Sequence, residues 1–264
     1  MRVERPDTLA VEEPLEIRVG GQVITTTMRT PGEDFDLTIG HLLTEGLLDT
    51  AEGVARLMHC TDVGPDAAPT FNVVETTLAA GTALNTPPRV RTETMSSACG
   101  VCGSASIDAV RTRSRYAARP GLPSLAPAFV AALPDALSAH QPGFDRTGGL
   151  HAAGLFAVDG TALAVREDVG RHNAVDKVIG ALARSRPLPF DDLVLVVSAR
   201  ASFELVQKAS MCGIPALVAV GAPSSLAVEL AKESGTTLVA FARGNTFSVY
   251  ADAGRLPTAP EPGS

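Results

Sequence analysis

The sequence predicts an α/β protein: a mixed, partly parallel sheet covered by helices, with a smaller α+β region ahead of it. Three observations carry this expectation. Leu193-Val194-Leu195-Val196-Val197 is an unbroken apolar run, as in a strand buried on both faces. Two more short apolar runs follow it, at residues 216–220 and 238–241. Between them lie helix-period segments at 203–211 and 224–233, closed by Gly213 and Gly235. Strand and helix alternating through short links make a parallel, helix-covered sheet.

The remaining elements follow in chain order. Residues 15–19 and 23–27 alternate around Gly20-Gly21 and read as a hairpin. After Pro31-Gly32, the acidic Glu33, Asp34 and Asp36 lead into Leu37, Ile39, Leu42, Leu43 and Leu47, which suits a helix that Gly40 weakens. Residues 54–57 and 71–77 read as short strands, and 81–88 break the pattern. The boundary falls there: an N-terminal α+β region at 1–88, an α/β domain at 89–256, and a Pro-rich, disordered tail at 257–264. A helix is expected over 106–113, and another over 129–137 that Pro134 interrupts or weakens. Residues 150–158 and 161–166 flank Asp159-Gly160, a strong hairpin signal. Val175, Val178, Ile179 and Leu182 then share one face of a helix over 172–183.

Composition narrows the function. With 264 residues a substantial core is within reach. A net charge of −7 gives no electrostatic case for bulk nucleic-acid binding, although a local basic pocket for a phosphate is compatible with it. No apolar leader and no run of spanning length occurs, so a cytoplasmic protein with no membrane partner is expected. Four cysteines, Cys60, Cys99, Cys102 and Cys212, do not make a disulfide framework; reduced thiols with a catalytic or metal role are expected.

Ser97-Ala98-Cys99-Gly100-Val101-Cys102-Gly103 sets two thiols at C-x-x-C spacing ahead of an expected helix start. Unpaired N–H groups and the helix dipole favour thiolate there. Four readings stay open. Half of a structural zinc site needs two more ligands, for which His59, Cys60 and Cys212 are available. A thioredoxin-type pair is disfavoured by Ala98 and the lack of Trp, and inert core cysteines by the surrounding Gly and Ser. The fourth is a nucleophilic thiolate that accepts a sulfur atom and passes it on, with the second thiol assisting release.

Polar density is also high over residues 166–177, where a strand end opens into a helix around Gly170; His172 is a candidate ligand contact there. A solvated helix start is the plainer reading. Ser198-Ala199-Arg200-Ala201-Ser202 opens the next helix with small residues and a cation. Gly221-Ala222-Pro223-Ser224-Ser225 and Phe241-Ala242-Arg243-Gly244-Asn245-Thr246 follow the next two parallel strands. Each is weak alone; together on one sheet edge they point to a nucleotide or phosphate pocket.

Taken together, these motifs resemble one family. Residues 31–43, 97–103, 147–153, 166–177, 201–208 and 241–246 are similar to the FdhD family, the accessory sulfur carriers of formate dehydrogenase. The resemblance implies a sulfurtransferase that receives sulfur from a cysteine desulfurase as a persulfide. It implies transfer to the bis-molybdopterin guanine dinucleotide form of the molybdenum cofactor before that enters formate dehydrogenase. It also implies a cytidine deaminase-like three-layer core and a homodimer. Cys99 takes the place of the persulfide-bearing residue, with Cys102 assisting. The guanine dinucleotide contact falls on Phe241, Ala242, Arg243, Gly244, Asn245 and Thr246, with Arg200, Ser198 and His172 beside it and GDP or GMP as possible mimics. Ala199 stands where glycine is expected, which narrows backbone access to a phosphate.

Two alternatives belong to other classes. A zinc-dependent nucleobase hydrolase is suggested by the same implied fold, but Ala98 rather than proline precedes the cysteines and no His-x-Glu or Cys-x-Glu occurs. A non-catalytic escort of the molybdenum cofactor is the other. No metal site is expected.

Overall fold

A computed structural model describes residues 7–63, 69–85, 114–116 and 119–257. The chain opens with β1 (Glu13–Val19) and β2 (Gln22–Arg29), joined antiparallel through Gly20-Gly21. Helix α1 (Asp34–Thr44) follows, then a 3-10 turn at Ala51–Gly53 and strands β3 (Val54–His59), β4 (Asp62–Val63), β5 (Pro69–Thr70) and β6 (Val73–Leu78). A mixed sheet of order β2-β1-β6-β3 results, with β1 and β6 parallel. The expected helix over 106–113 lies outside the described residues.

The second part comprises α2 (Pro127–Ser138), α3 (Pro142–Thr147), β7 (His151–Ala157), β8 (Ala162–Asp168) and α4 (Arg171–Ala183). It continues through β9 (Leu193–Val197), α5 (Phe203–Met211), β10 (Ala216–Ala219), α6 (Ser225–Ser234), β11 (Thr237–Arg243) and β12 (Thr246–Ala251). These strands form one six-stranded sheet in the order β12-β11-β10-β9-β7-β8. Strands β9, β10 and β11 are parallel, whereas β7, β8 and β12 add antiparallel pairs. The fold is therefore mixed α/β, as expected.

Strand β9 shows why its sequence is unbroken. Leu193, Leu195 and Val197 join a core with Val175 and Ile179 of α4 and Leu205 and Val206 of α5. Val194 and Val196 point the other way, to Val130, Leu133 and Leu137 of α2. Alternation of side chains on a strand needs both sets apolar when helices cover both faces. Each such buried side chain contributes roughly 1.5–3 kcal/mol.

Two helical expectations are corrected by packing. Helix α2 runs unbroken through Pro134, although the ring removes the bond to the Val130 carbonyl. Val130, Leu133 and Leu137 are buried against the sheet, and that burial outweighs the lost bond. Gly40 is no weakness in α1 but its point of closest approach to α4. A Cβ there would lie 1.8 Å from the Asp176 carbonyl oxygen, and one on Gly180 would lie 1.9 Å from that of Asp36. Backbones meet directly at this crossing. Helix α4 is thus buried on both sides, by the sheet and by α1, and residues 173–180 are all buried. No described helix is long and apolar enough to cross a membrane.

Candidate functional site

Strands β9, β10 and β11 end at one edge of the six-stranded sheet. Because β7 is antiparallel to both β8 and β9, β8 ends there too and β7 begins there. Loop 198–202, loop 221–224, the β11 end, the first turn of α4 and His151 therefore meet at that edge. Backbone bonds stitch the loops into a continuous rim. Gly221 N donates to Ala199 O (3.1 Å), Ala201 N to Ala222 O (3.1 Å), Ser224 N to Ala201 O (3.0 Å) and Phe241 N to Gly221 O (3.2 Å). Gly221 is required at this crossing, since a Cβ would sit 2.9 Å from the Arg200 Cα.

The edge brings together most of the candidate contacts, in differing states. Ser198 Oγ accepts from Ala152 N (2.9 Å), which holds its loop against β7. Arg200 and Arg243 are exposed and pair with no carboxylate among the described residues. Phe241 is 42 % exposed and held in the left-handed region (φ 53). The expected loop at 241–246 is instead the end of β11 and a tight hairpin, with Arg243 paired to Thr246 around Gly244-Asn245. Register slips between Ala240 and Arg243, and this bulge re-aims the Phe241 ring. Ala242 turns its methyl into the core beside Val239, so only its backbone is available to a ligand.

His172 stands on the first turn of α4, its Nε2 3.8 Å from Glu204 Oε2 on the first turn of α5. The imidazole holds the Glu204 carboxyl down at about 2. Burial, together with the charges of Arg171 and His172, lowers His151 from its ordinary value. Around this pair, Ser202 also turns to the Glu204 carboxylate, whereas Arg171 Nε and, a turn further along α5, Gln207 Oε1 are closed to solvent and hydrogen-bonded to nothing. A buried polar group left unpaired costs about 1–3 kcal/mol. Neither α4 nor α5 has a side-chain cap, whereas Ser224 caps α6 by accepting from Ala227 N (3.2 Å). Arg171 and Ser202 lie inside motifs that the sequence marks out, although neither is named there as a contact; Glu204, in the apolar-periodic helix after Ser202, is not marked at this edge.

The rest of the 166–177 motif is scaffold. Arg166 binds Asp36 (2.9 Å). Glu167 accepts from Gly143 N and Phe144 N, both at 2.7 Å. Asp168 and Lys177 form a fully buried pair at 2.9 Å. Asp168 also accepts from Thr30 N, Gly170 N and Asn173 Nδ2. Asp176 receives two bonds from Lys208 Nζ (2.9 and 3.0 Å) and one from Thr44 Oγ1 (2.7 Å). Burial pushes the Asp176 carboxyl up, but Lys208 and His41 outweigh it and the net direction is down. Asp34 and Asp36, which the sequence suggests as partners of the α1 dipole, are buried against Arg29 and against Arg166 and Arg184.

Cys99 and Cys102 lie outside the described residues. The chain leaves the described part at Asn85 and returns at Ser114, and Asp49 binds both Asn85 and Arg115. Cys212 is buried, and burial pushes its thiol well up, which makes it inert. Among the described residues no three His, Cys, Asp or Glu are placed to hold a metal ion. A cleft of about 500 Å³ lies elsewhere, between Arg29, Glu33, His59 and Phe71, but its charges are spent internally, Arg29 on Asp34 and Glu33 on Lys177.

Fold and edge together define a mixed α/β protein whose sheet edge carries unpaired cationic and donor groups. Residues 10–257 match the FdhD/NarQ family, and the chain belongs to that family. It is 54 % identical over 254 residues to the sulfur carrier protein FdhD of Mycolicibacterium paratuberculosis, covering 96 % of this chain and 93 % of that one. It is 52 % identical over 253 residues to the FdhD sulfur carrier of Streptomyces avermitilis, covering 96 % and 90 %. Its fold superposes with a TM-score of 0.70 on a protein described as a formate dehydrogenase accessory protein from Desulfotalea psychrophila, at 24 % identity over 95 % of this chain and 91 % of that one.

Proposed function

We propose that this protein is a cytoplasmic sulfur carrier that passes sulfur to the bis-guanylated molybdenum cofactor before its insertion into formate dehydrogenase. The observation that carries the reading is the sheet edge. In a chain of net charge −7, Arg171, Arg200 and Arg243 stand there without carboxylate partners among the described residues, and the Arg171 Nε is buried and hydrogen-bonded to nothing. Such an edge suits a nucleotide-bearing anion. The sulfur half of the reading is supported by the C-x-x-C pair and by the names of the relatives. A homodimer and a cytidine deaminase-like core belong to the same reading.

The chemistry balances with the cysteines present. Cys99 thiolate attacks the terminal sulfur of a desulfurase persulfide; that S–S bond breaks, a new one forms on Cys99, and the donor leaves as thiolate. Cys102 thiolate then attacks the inner sulfur of the Cys99 persulfide. Hydrosulfide is released toward the bound cofactor, and a Cys99–Cys102 disulfide remains for a dithiol reductant to reopen. Arg200, Arg243 and Phe241 hold the guanylated substrate while this occurs.

The test is incubation with a cysteine desulfurase and cysteine, then peptide mass spectrometry across residues 92–111. One added sulfur on the Cys99 peptide, absent in Cys99→Ala, is expected. Equal loading of Cys99→Ala, or none in the natural protein, refutes the assignment. Loading without onward transfer would leave the protein an escort.

A further inference from the structure

We infer that Asp49 is a positioning residue for sulfur loading: its carboxylate ties together the two ends of the stretch at 86–113, which bears Cys99 and Cys102. The inference rests on the proposed function for what those thiols do, and on the contacts of Asp49 for the tie itself.

Each end has its own anchor. Where the chain leaves, Asn85 N donates to Leu47 O (2.9 Å) and Asn85 Nδ2 to Gly46 O (3.1 Å), both on the turn after α1. Where it returns, Ser114 Oγ donates to Ser210 O (2.6 Å) near the end of α5, and Tyr116 lies against Gly213. The two anchors border one cleft of about 240 Å³, whose lining includes Asn85 from the first end and Arg115 and Tyr116 from the second. Asp49 spans it. Its Oδ1 accepts both from Asn85 Nδ2 and from an Arg115 guanidinium nitrogen.

The anchors are held without Asp49. Leu47 N and Leu48 N both donate to Leu42 O (2.9 and 3.0 Å), which fixes the turn to the end of α1. Lys208 of α5 donates to Thr44 Oγ1 (2.9 Å) and Glu45 Oε1 (3.0 Å), which fixes α5 to the same end of α1. The Arg115–Asp49 pair itself is exposed, with 49 % and 41 % of the two side chains open to water, so it adds little to stability. A contact that barely stabilises the fold, yet joins both ends of one stretch, acts on that stretch. Holding the ends at one point narrows the volume its thiols search and raises their effective concentration at a protein donor docked beside the anchors. A small-molecule donor diffuses to the thiol in either case and gains nothing from the tie.

The test loads the full chain from two sources, a cysteine desulfurase with cysteine and glutathione persulfide. In the second, the Cys99 thiolate takes the terminal sulfur and glutathione leaves as thiolate. Added sulfur on the Cys99 peptide is followed against time. Asp49→Ala is expected to slow loading by the desulfurase about fivefold or more, with glutathione persulfide loading, GDP affinity and melting unchanged. Trypsin is expected to cut the variant faster between residues 86 and 113. Asp49→Arg combined with Arg115→Asp restores the pair in reverse and should return both rates to those of the wild type. Equal desulfurase loading in wild type and Asp49→Ala, or an equal loss with both donors, overturns the inference. So does a reversed pair that loads no faster than Asp49→Ala, or a melting loss that accompanies the slower loading. Wild-type protein that takes sulfur from neither donor sinks the sulfur-carrier reading instead, and the trypsin rates then decide the tie by themselves.

Discussion

Replacing Lys208 with Met tests whether the charged residues inside the family motifs are scaffold or site. The Lys208 ammonium donates to both Asp176 oxygens, to Glu45 Oε1 (3.0 Å) and to Thr44 Oγ1 (2.9 Å), with 5 % of the residue exposed. Met fills the space of the stem, so the cavity cost is small. What remains is Asp176, 2 % exposed, with Thr44 and a His41 nitrogen 3.6 Å away. Breaking one side of a buried pair costs about 3–5 kcal/mol. At roughly 2–4 °C per kcal/mol for a chain of this size, melting should fall by about 6–20 °C. The loss should depend on pH. With Lys208 present, Asp176 lies below its ordinary value; without it, burial prevails and its folded value rises above the unfolded one. The folded variant then binds a proton more tightly than the unfolded chain, so its stability falls as pH rises. Calorimetry from pH 4 to pH 8 should show a deficit that widens upward. Asp176→Leu combined with Lys208→Met should recover most of it, and GDP affinity should not move. A deficit under about 1 kcal/mol, or one flat with pH, would refute the reasoning, and lost GDP binding at full stability would return Lys208 to the site.

Three further outcomes are expected. Gly40→Ala should destabilise by about 3 kcal/mol or more, since its Cβ meets backbone at 1.8 Å and no side chain can turn away; an unchanged melting curve would contradict the crossing. Phe241→Gly should remove left-handed strain worth about 1–2 kcal/mol while weakening guanosine and GDP alike, read by denaturant melts and calorimetry; a variant that binds normally separates that strain from the site. Glu204→Gln should cost about 1 kcal/mol or less at pH 6, because the carboxylate is only about half buried. With Glu204 held at about 2 against an ordinary 4.5, its contribution is present above the ordinary value and lost as pH falls toward 2. The gap should shrink steadily from about pH 5 and close near pH 2; a gap that widens on acidification would reverse the sign.

The elements readable from sequence are those whose neighbours are uniform. Strand β9 is packed by helices on both faces, so its five residues announce it, and α5 appears with the bounds its periodicity predicts. Unreadable features are those decided by a single distant contact. Gly40 looks like a helix weakness until α4 lies on it, and Pro134 looks like a break until Val130, Leu133 and Leu137 are buried around it. Phe241 carries no mark of its left-handed backbone, because the bulge that sets it depends on pairing with β12.

The same distinction governs the site. Polar density over 166–177 reads as chemistry, yet Asp168, Lys177 and Asp176 are consumed by partners from β8, the end of β2, α1 and α5. A sequence cannot separate a charge that will find its partner across the fold from one that is waiting for a ligand, because both look alike before folding. Folding performs the subtraction. Once internal pairs are removed, Arg171 remains from that motif, and it stands on the edge where Arg200 and Arg243 are also without a carboxylate among the described residues. Had the surviving groups been scattered, the motif would describe only a way of clamping α1 to α4. Their convergence at one edge is what turns a scaffold motif into an argument for a bound anion.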